Sequence, residues 1–276
     1  MCGTRGSTPA PGRDFLRYGG HTSCLAISAD GATAPELLLD AGTGIREVTS
    51  LLAGGPFRGT IALTHLHWDH VQGLPFFRAG DREDASVRLL LPAPEEGADA
   101  EAMLELGMSP PNFPITPRQL RGAWTFAGLT AGQIPVGSLT LIARDIPHGG
   151  GRTFGYRVSD ARGSIAYLPD HSPTDLGPGA AGLGPYHDAA LELADGVDIL
   201  MHDSFWLADE LDPALSWGHA AAEYALGLAA QAGAGRVVLL HHRPDRTDAE
   251  LDKLAASFAD EPVPVSIASE GEVIWL

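Results

Sequence analysis

Residues 64–70 read Thr-His-Leu-His-Trp-Asp-His, and four of them, His65, His67, Asp69 and His70, carry side chains that bind metal ions. They follow residues 59–64, an apolar run with the length and composition of a strand. In extended chain alternate side chains share a face, so His65, His67 and Asp69 can converge on one point. From Val71 onward the sequence turns helical, which places Asp69 and His70 near a helix N-terminus. Imidazole and carboxylate are donors that zinc, iron and manganese all accept. With 11 histidines in 276 residues, scattered surface histidines do not account for this spacing.

The segment has the form His-x-His-x-Asp-His, and on it the sequence resembles the metallo-β-lactamase superfamily. The resemblance implies an α/β fold of the four-layer αββα sandwich type. It also implies three further ligands, in order a later His, a bridging Asp and a final His. The matching positions are His148 in Asp-Ile-Pro-His-Gly, Asp170 at the end of Ile-Ala-Tyr-Leu-Pro-Asp, and His241 at the end of Val-Val-Leu-Leu-His-His. One metal would take His65, His67 and His148, the other Asp69, His70 and His241, and Asp170 would bridge them. Periodicity does not separate His241 from His242; His241 is favoured because it directly follows the apolar strand, with His242 behind it. Two divalent ions, zinc first with manganese or iron as alternatives, are therefore the expected cofactors. Set about 3.5–4 Å apart, such ions bring the pKa of a bridging water near 7 and clamp an in-line displacement.

Two further segments point to one branch. Residues 2–9, Cys-Gly-Thr-Arg-Gly-Ser-Thr-Pro, and residues 17–24, Arg-Tyr-Gly-Gly-His-Thr-Ser-Cys, are similar to the opening of the ribonuclease Z and cyclic-phosphodiesterase branch. A strand usually precedes this glycine loop in relatives, so only a short one is expected here. His202-Asp203-Ser-Phe205 and Trp217-Gly-His219-Ala resemble that branch's His-Glu-Ala-Thr and Gly-His-Ser-Thr motifs, with Asp203 for Glu and Ala220 for Ser. By that resemblance His219 protonates the leaving group and Asp203 orients it, with Asp69 in the catalytic centre. His21, His171 and His187 read as ordinary histidines, although His171 follows a ligand closely enough to reach substrate.

Transfer-RNA-processing members carry a long arm between the His148-type and Asp170-type ligands. Here that interval, residues 149–169, is barely more than a hairpin. The relative specialised for phosphonate breakdown has a cysteine-containing zinc site that Cys2 and Cys24 do not reproduce. His67 stands where redox di-iron relatives carry a carboxylate. The expected activity is hydrolysis of a small or cyclic phosphodiester. The rivals are a thioester or lactone hydrolase of the glyoxalase-II kind, for which His219 would be dispensable, and a non-catalytic ligand-binding or regulatory protein. Loss of ligands would mark the last, and none is lost.

The elements that must position these residues are legible as short apolar runs: 37–40, ending on Asp40, then 88–91, 139–143, 155–158, 164–168, 198–202 and 236–240. A helix is expected from the Ala-Gly-Thr-Gly after Asp40 to about Ala53. An Ala/Leu-rich helix is expected over 220–232 with a glycine stop, and Thr247-Asp-Ala-Glu250 forms a capping box opening another to about Ala259. Strands are expected at 263–268 and 272–276. Strands and helices mixed throughout, with polar residues at strand ends, indicate an α/β layered domain over 1–276 with its site on one rim. Residues 95–124 read as an insertion, and Pro110-Pro-Asn-Phe-Pro-Ile115 within it as a pocket lid.

Composition bounds the partners. Eighteen Lys and Arg against 35 Asp and Glu give −17, which repels long nucleic acid and yields no counterion-release gain on it. Two cysteines exclude a disulfide framework, and no charged-then-apolar leader opens the chain. No apolar run approaches the roughly 18 residues of a membrane span. A cytoplasmic protein with a small-molecule substrate is expected, and a homodimer is compatible with the sequence.

Overall fold

The computed structural model describes residues 1–32, 34–93, 97–212 and 217–276. β1 (Leu25–Ile27), β2 (Leu37–Leu39), β3 (Arg58–Ala62), β4 (Ser86–Pro92) and β5 (Ala123–Leu129) form one sheet in chain order. β6 (Gly132–Val136), β7 (Leu139–Asp145), β8 (Phe154–Ser159), β9 (Ser164–Leu168), β10 (Ile199–Asp203), β11 (Val237–Leu240) and β12 (Val265–Ile267) form the second, ordered β12-β11-β10-β9-β8-β7-β6. The helices are α1 (Ile45–Leu51), α2 (Trp68–Val71), α3 (Ala100–Glu105), α4 (Asp188–Ala194), α5 (Ala222–Ala232) and α6 (Asp248–Ser257).

Alternation along the strands builds three apolar layers. Leu37 and Leu39 point between the sheets, where they meet Leu141, Phe154, Tyr156, Val238 and Leu240. Leu38, with Ile61, Leu63 and Leu89, points the other way onto Ile45 and Val48 of α1 and Leu104 of α3. Val237 and Leu239 turn to the opposite face, against Leu228 of α5 and Leu251 and Leu254 of α6. Strands buried on both faces must be apolar at every position, which is why β2 and β11 read as unbroken runs. The result is the four-layer αββα sandwich.

Direction matters more than order for the site. β2 to β5 are mutually parallel, as are β9 to β12. β7 runs antiparallel to β8, and β8 to β9, so β7 points the same way as β9. The carboxyl ends of β2 and β3, and those of β7, β9, β10 and β11, each release polar residues at one edge of their sheet. This is where open α/β sheets place their sites. The interval 149–169 is the β8–β9 hairpin.

Several expectations need correction. Residues 272–276 form no strand: the Met1 ammonium donates to the Glu272 carbonyl at 2.7 Å, and Val273 and Trp275 face solvent. The helix expected from residue 220 begins at Ala222, because residues 220–221 pair with Trp206 in an extended bridge. β5 and β6 were not anticipated. β6 contains Pro135 and lies at a sheet edge, where a missing N–H is tolerated. The short strand expected at the start of the chain is present as isolated bridges, Gly3 to Cys24 and Arg5 to Thr22 and His242. Within the expected insertion, α3 contributes Ala100 and Leu104 to the outer core, and Phe113 of the proline-rich segment meets the Phe76 ring edge-on at 5.8 Å.

Leu239 is fully buried on the strand that delivers His241. Leu239→Ala should cost about 2–5 kcal/mol of stability, read as a lower urea midpoint with an unchanged slope. An unshifted midpoint would mean this layer does not bear on stability.

Candidate metal centre

His65 lies just beyond β3, and its Nδ1 sits 3.0 Å from Thr64 Oγ1. His67 is the N-cap of α2, which carries Asp69 and His70. His148 follows β7, and its Nδ1 donates to the Gly218 carbonyl at 2.7 Å. That leaves the His148 Nε2 lone pair facing His67 Nδ1 at 3.1 Å. Asp170 follows β9 and His241 follows β11. These residues gather into two groups, His65, His67, His148 and Asp170, and Asp69, His70, Asp170 and His241. Within each group one donor atom per residue lies within 4.8 Å of the others, and Asp170 belongs to both.

The donor atoms fit divalent cations on a direct test. His65 Nε2, His70 Nε2, His241 Nε2 and Asp170 Oδ1 are buried and have no hydrogen-bond partner. Unpaired buried polar atoms are rare and costly, and here they face one another. His70 Nε2 and Asp170 Oδ1 are 2.9 Å apart yet lack hydrogen-bond alignment. Two carboxylates and five imidazoles form a set suited to zinc, manganese or iron, with no sulfur.

The electrostatics follow from burial and proximity. Burial opposes the charge on Asp170, but His241, His70 and His65 outweigh it and hold the carboxyl well below its usual range. Burial likewise opposes the charged form of His70, yet Asp170, Asp69 and Asp40 raise its pKa well above normal. Desolvation, reinforced by His70, keeps His65 well below normal. A cation at the centre takes over the compensation that protons on these rings would otherwise supply.

A surrounding layer aims the donors. Asp40, fully buried at the end of β2, lies 2.9 Å from His70 Nδ1 and accepts from the Thr64 N–H at 2.7 Å and the Tyr167 hydroxyl at 3.1 Å. It directs His70 Nε2 to the centre, as outer carboxylates do at metal-bound imidazoles. Sequence reasoning saw Asp40 as a strand end and missed this role; its carboxylate ahead of a glycine turn was the available signal. The Ser7 N–H donates to Asp69 Oδ2 at 2.8 Å, and Ser23 Oγ lies 3.3 Å from His241 Nδ1. Asp40 and His241 both hold left-handed backbone, with φ of 63° and 58°, a strained state for non-glycine residues that clusters at functional sites. A Cβ on Gly6 would meet the His241 ring at 2.4 Å, so only glycine fits there.

Asp203 ends β10, and its Oδ2 accepts from His219 Nδ1 at 3.0 Å and from the N–H groups of His171 and Ala220. His219 stacks on Phe205 with centroids 4.4 Å apart, and its ring lies 4.8 Å from that of His241. Burial lowers the His219 pKa, but Asp203 outweighs it and raises the net value.

The remaining histidines face elsewhere. His242 Nε2 lies 2.9 Å from the Ala268 carbonyl, and burial drops its pKa to about 3. His171 has both ring nitrogens against His202 and His187, at 2.9 and 2.8 Å, which turns it away from substrate. A separate groove lined by Arg46, Gln72, Phe76 and Arg78 holds none of the seven clustered residues.

Residues 36–242 match the model of the β-lactamase superfamily domain. The chain belongs to that superfamily. This β-lactamase-superfamily protein is 28% identical over 221 residues to ribonuclease Z of Limosilactobacillus fermentum, spanning 66% of this chain and 68% of that one. Its fold is similar to a diphosphatase of the PhnP family (TM-score 0.70, 20% identity, 100% and 96% of the two chains). It is also similar to the metallo-β-lactamase-fold protein YhfI of Bacillus subtilis (TM-score 0.69, 20% identity, 99% and 95%). On these matches and the His/Asp clusters, the superfamily member is a metal-dependent hydrolase. No helix among its described residues is long and apolar enough to cross a membrane.

Asp40→Asn should weaken zinc binding roughly 10- to 100-fold in a chelator competition, whereas His242→Gln should match the parent. Parental affinity in Asp40→Asn would mean that Asp40 does not orient His70.

Proposed function

We propose that this superfamily member is a phosphodiesterase of small or cyclic diesters with two divalent ions, zinc foremost. The observation that carries the reading is the buried His219–Asp203 pair beside the two donor clusters. When bound, the ions would supply Lewis acidity that activates a water and offsets the charge of the phosphate. His65, His67 and His148 would hold one, Asp69, His70 and His241 the other, and Asp170 both.

The chain's own residues supply the rest. Hydrolysis of a diester breaks a P–O bond and expels an alkoxide, a strong base that needs a proton as it leaves. His219 answers that need. Its Nδ1 is tied to Asp203 and its pKa is raised, so Nε2–H can be donated to the departing oxygen. Asp203 is fixed by four donors, which holds the His219 ring in place. A departing thiolate, with a pKa near 8.5, needs no such donor.

Substrate size follows from charge and from the β8–β9 hairpin. A −17 chain gains little from a polyanion, and residues 149–169 provide no extended arm. The names of the similar proteins, ribonuclease Z and diphosphatase, both denote hydrolysis at phosphorus.

The test is a leaving-group series on zinc- or manganese-loaded protein: bis(p-nitrophenyl) phosphate, a cyclic nucleotide panel, and a thioester in parallel. Diesters should turn over. His219→Ala should lose about 10²–10⁴-fold in rate on alkoxide leaving groups and distinctly less on p-nitrophenolate, which leaves unaided. Thioester cleavage indifferent to His219→Ala, with diesters untouched, would sink the proposal.

A further inference from the structure

Of the seven clustered residues, only His67 is exposed; the other six are buried. Substrate must therefore approach the centre from the His67 side. Two large apolar side chains next in sequence to His67 and Gly218 stand in solvent. Trp68, next to His67 on α2, is 79% exposed, and Trp217 is 69% exposed. Two imidazoles link their backbones: His67 Nδ1 lies 3.1 Å from His148 Nε2, and His148 Nδ1 donates to the carbonyl of Gly218, the residue after Trp217.

Neither tryptophan is explained by packing of the core. An indole left in water forgoes burial that a core position would provide, and exposed aromatic surface beside a concave site marks ligand contact. Trp217 is also held in left-handed backbone, φ 51°, where a bulky residue is a genuine outlier. Such strain persists only where its surroundings impose it. Those surroundings are visible. Trp217 meets Trp206 at 5.8 Å and Phe205 at 6.3 Å, and Phe205 stacks on His219. An aromatic wall thus runs from the His219 ring to the exposed Trp217.

The geometry points to Trp68 and Trp217 as the two sides of a clamp that takes a planar ring attached to the substrate's phosphate. This deepens the diesterase reading and rests on it for the scissile bond. It specifies ring-bearing esters, nucleotide-like or aryl, in preference to purely aliphatic ones. Indole faces stack on any base without reading its edge, so the clamp selects for a ring and not for one base. The wall's continuity with His219 places the bound ring close to the group that departs.

The experiment separates ring capture from turnover. Zinc-loaded protein is titrated with thymidine 5′-phosphate and with 2-deoxyribose 5-phosphate, which share the phosphate and sugar and differ in the base. Calorimetry gives both affinities, and tryptophan fluorescence reports indole contact. Stacking on an indole predicts that the thymidine compound binds roughly tenfold tighter or more and quenches fluorescence. Trp68→Ala and Trp217→Ala should each reduce that ratio, Trp217→Phe should retain most of it, and all three should melt like the parent. Equal affinities in the parent, or a preference that survives in the double alanine variant, would overturn the clamp. Ring preference in a protein that cleaves no diester would uphold the clamp while the diesterase reading fails.

Discussion

The structure is organised around a concentration of buried donor atoms without hydrogen-bond partners, a set that a divalent cation would satisfy. His65, His70, His241 and Asp170 each turn a buried nitrogen or oxygen, without a hydrogen-bond partner, toward a common centre. Left alone, such a centre would combine several kcal/mol of desolvation with unresolved repulsion. The fold meets that demand through direction. Parallel strands in each sheet end on the same side, so residues distant in sequence arrive together: Asp170 and His241 within two positions of their strands, His65 and His148 three beyond theirs. Burial of β2, β3, β9 and β11 on both faces holds those ends still.

Around the donors a second set of groups settles which atom of each ring faces inward. Asp40 settles it for His70, the Gly218 carbonyl for His148, and Asp203 for His219. The two buried carboxylate–imidazole pairs act differently because of what lies beyond the ring. Past His70 lies the donor cluster, so Asp40 prepares a ligand. On the proposed diesterase reading, Asp203 instead orients an acid. Strained backbone at Asp40 and His241 is the local cost of aiming these groups from strand ends.

Much of this was legible in the sequence wherever the signal is local. His65, His67, Asp69 and His70 are neighbours in the chain, and unbroken apolar runs mark β2 and β11 because both faces are covered. The capping box at Thr247 is realised as read, with α6 starting at Asp248. What escaped was non-local. Asp40 acquires its role only when β2 lies beside β3 and His70 folds back over it. The orientation of His171 depends on His187 and His202. Residues 272–276 have strand composition, yet the chain's own N-terminus occupies the Glu272 carbonyl that a ladder would need. β5 escaped because an edge strand with partly exposed Trp124 and Phe126 lacks the clean alternation of an interior one.

The most direct test of the account is the number of divalent ions the folded chain binds. Metal-free protein titrated with zinc, with bound metal counted by elemental analysis after gel filtration, should hold two equivalents per chain. Asp170→Ala, which removes the donor shared by both clusters, should fail to retain both. A single equivalent in the parent protein, or two equivalents undiminished in Asp170→Ala, would contradict a shared two-ion centre at these residues.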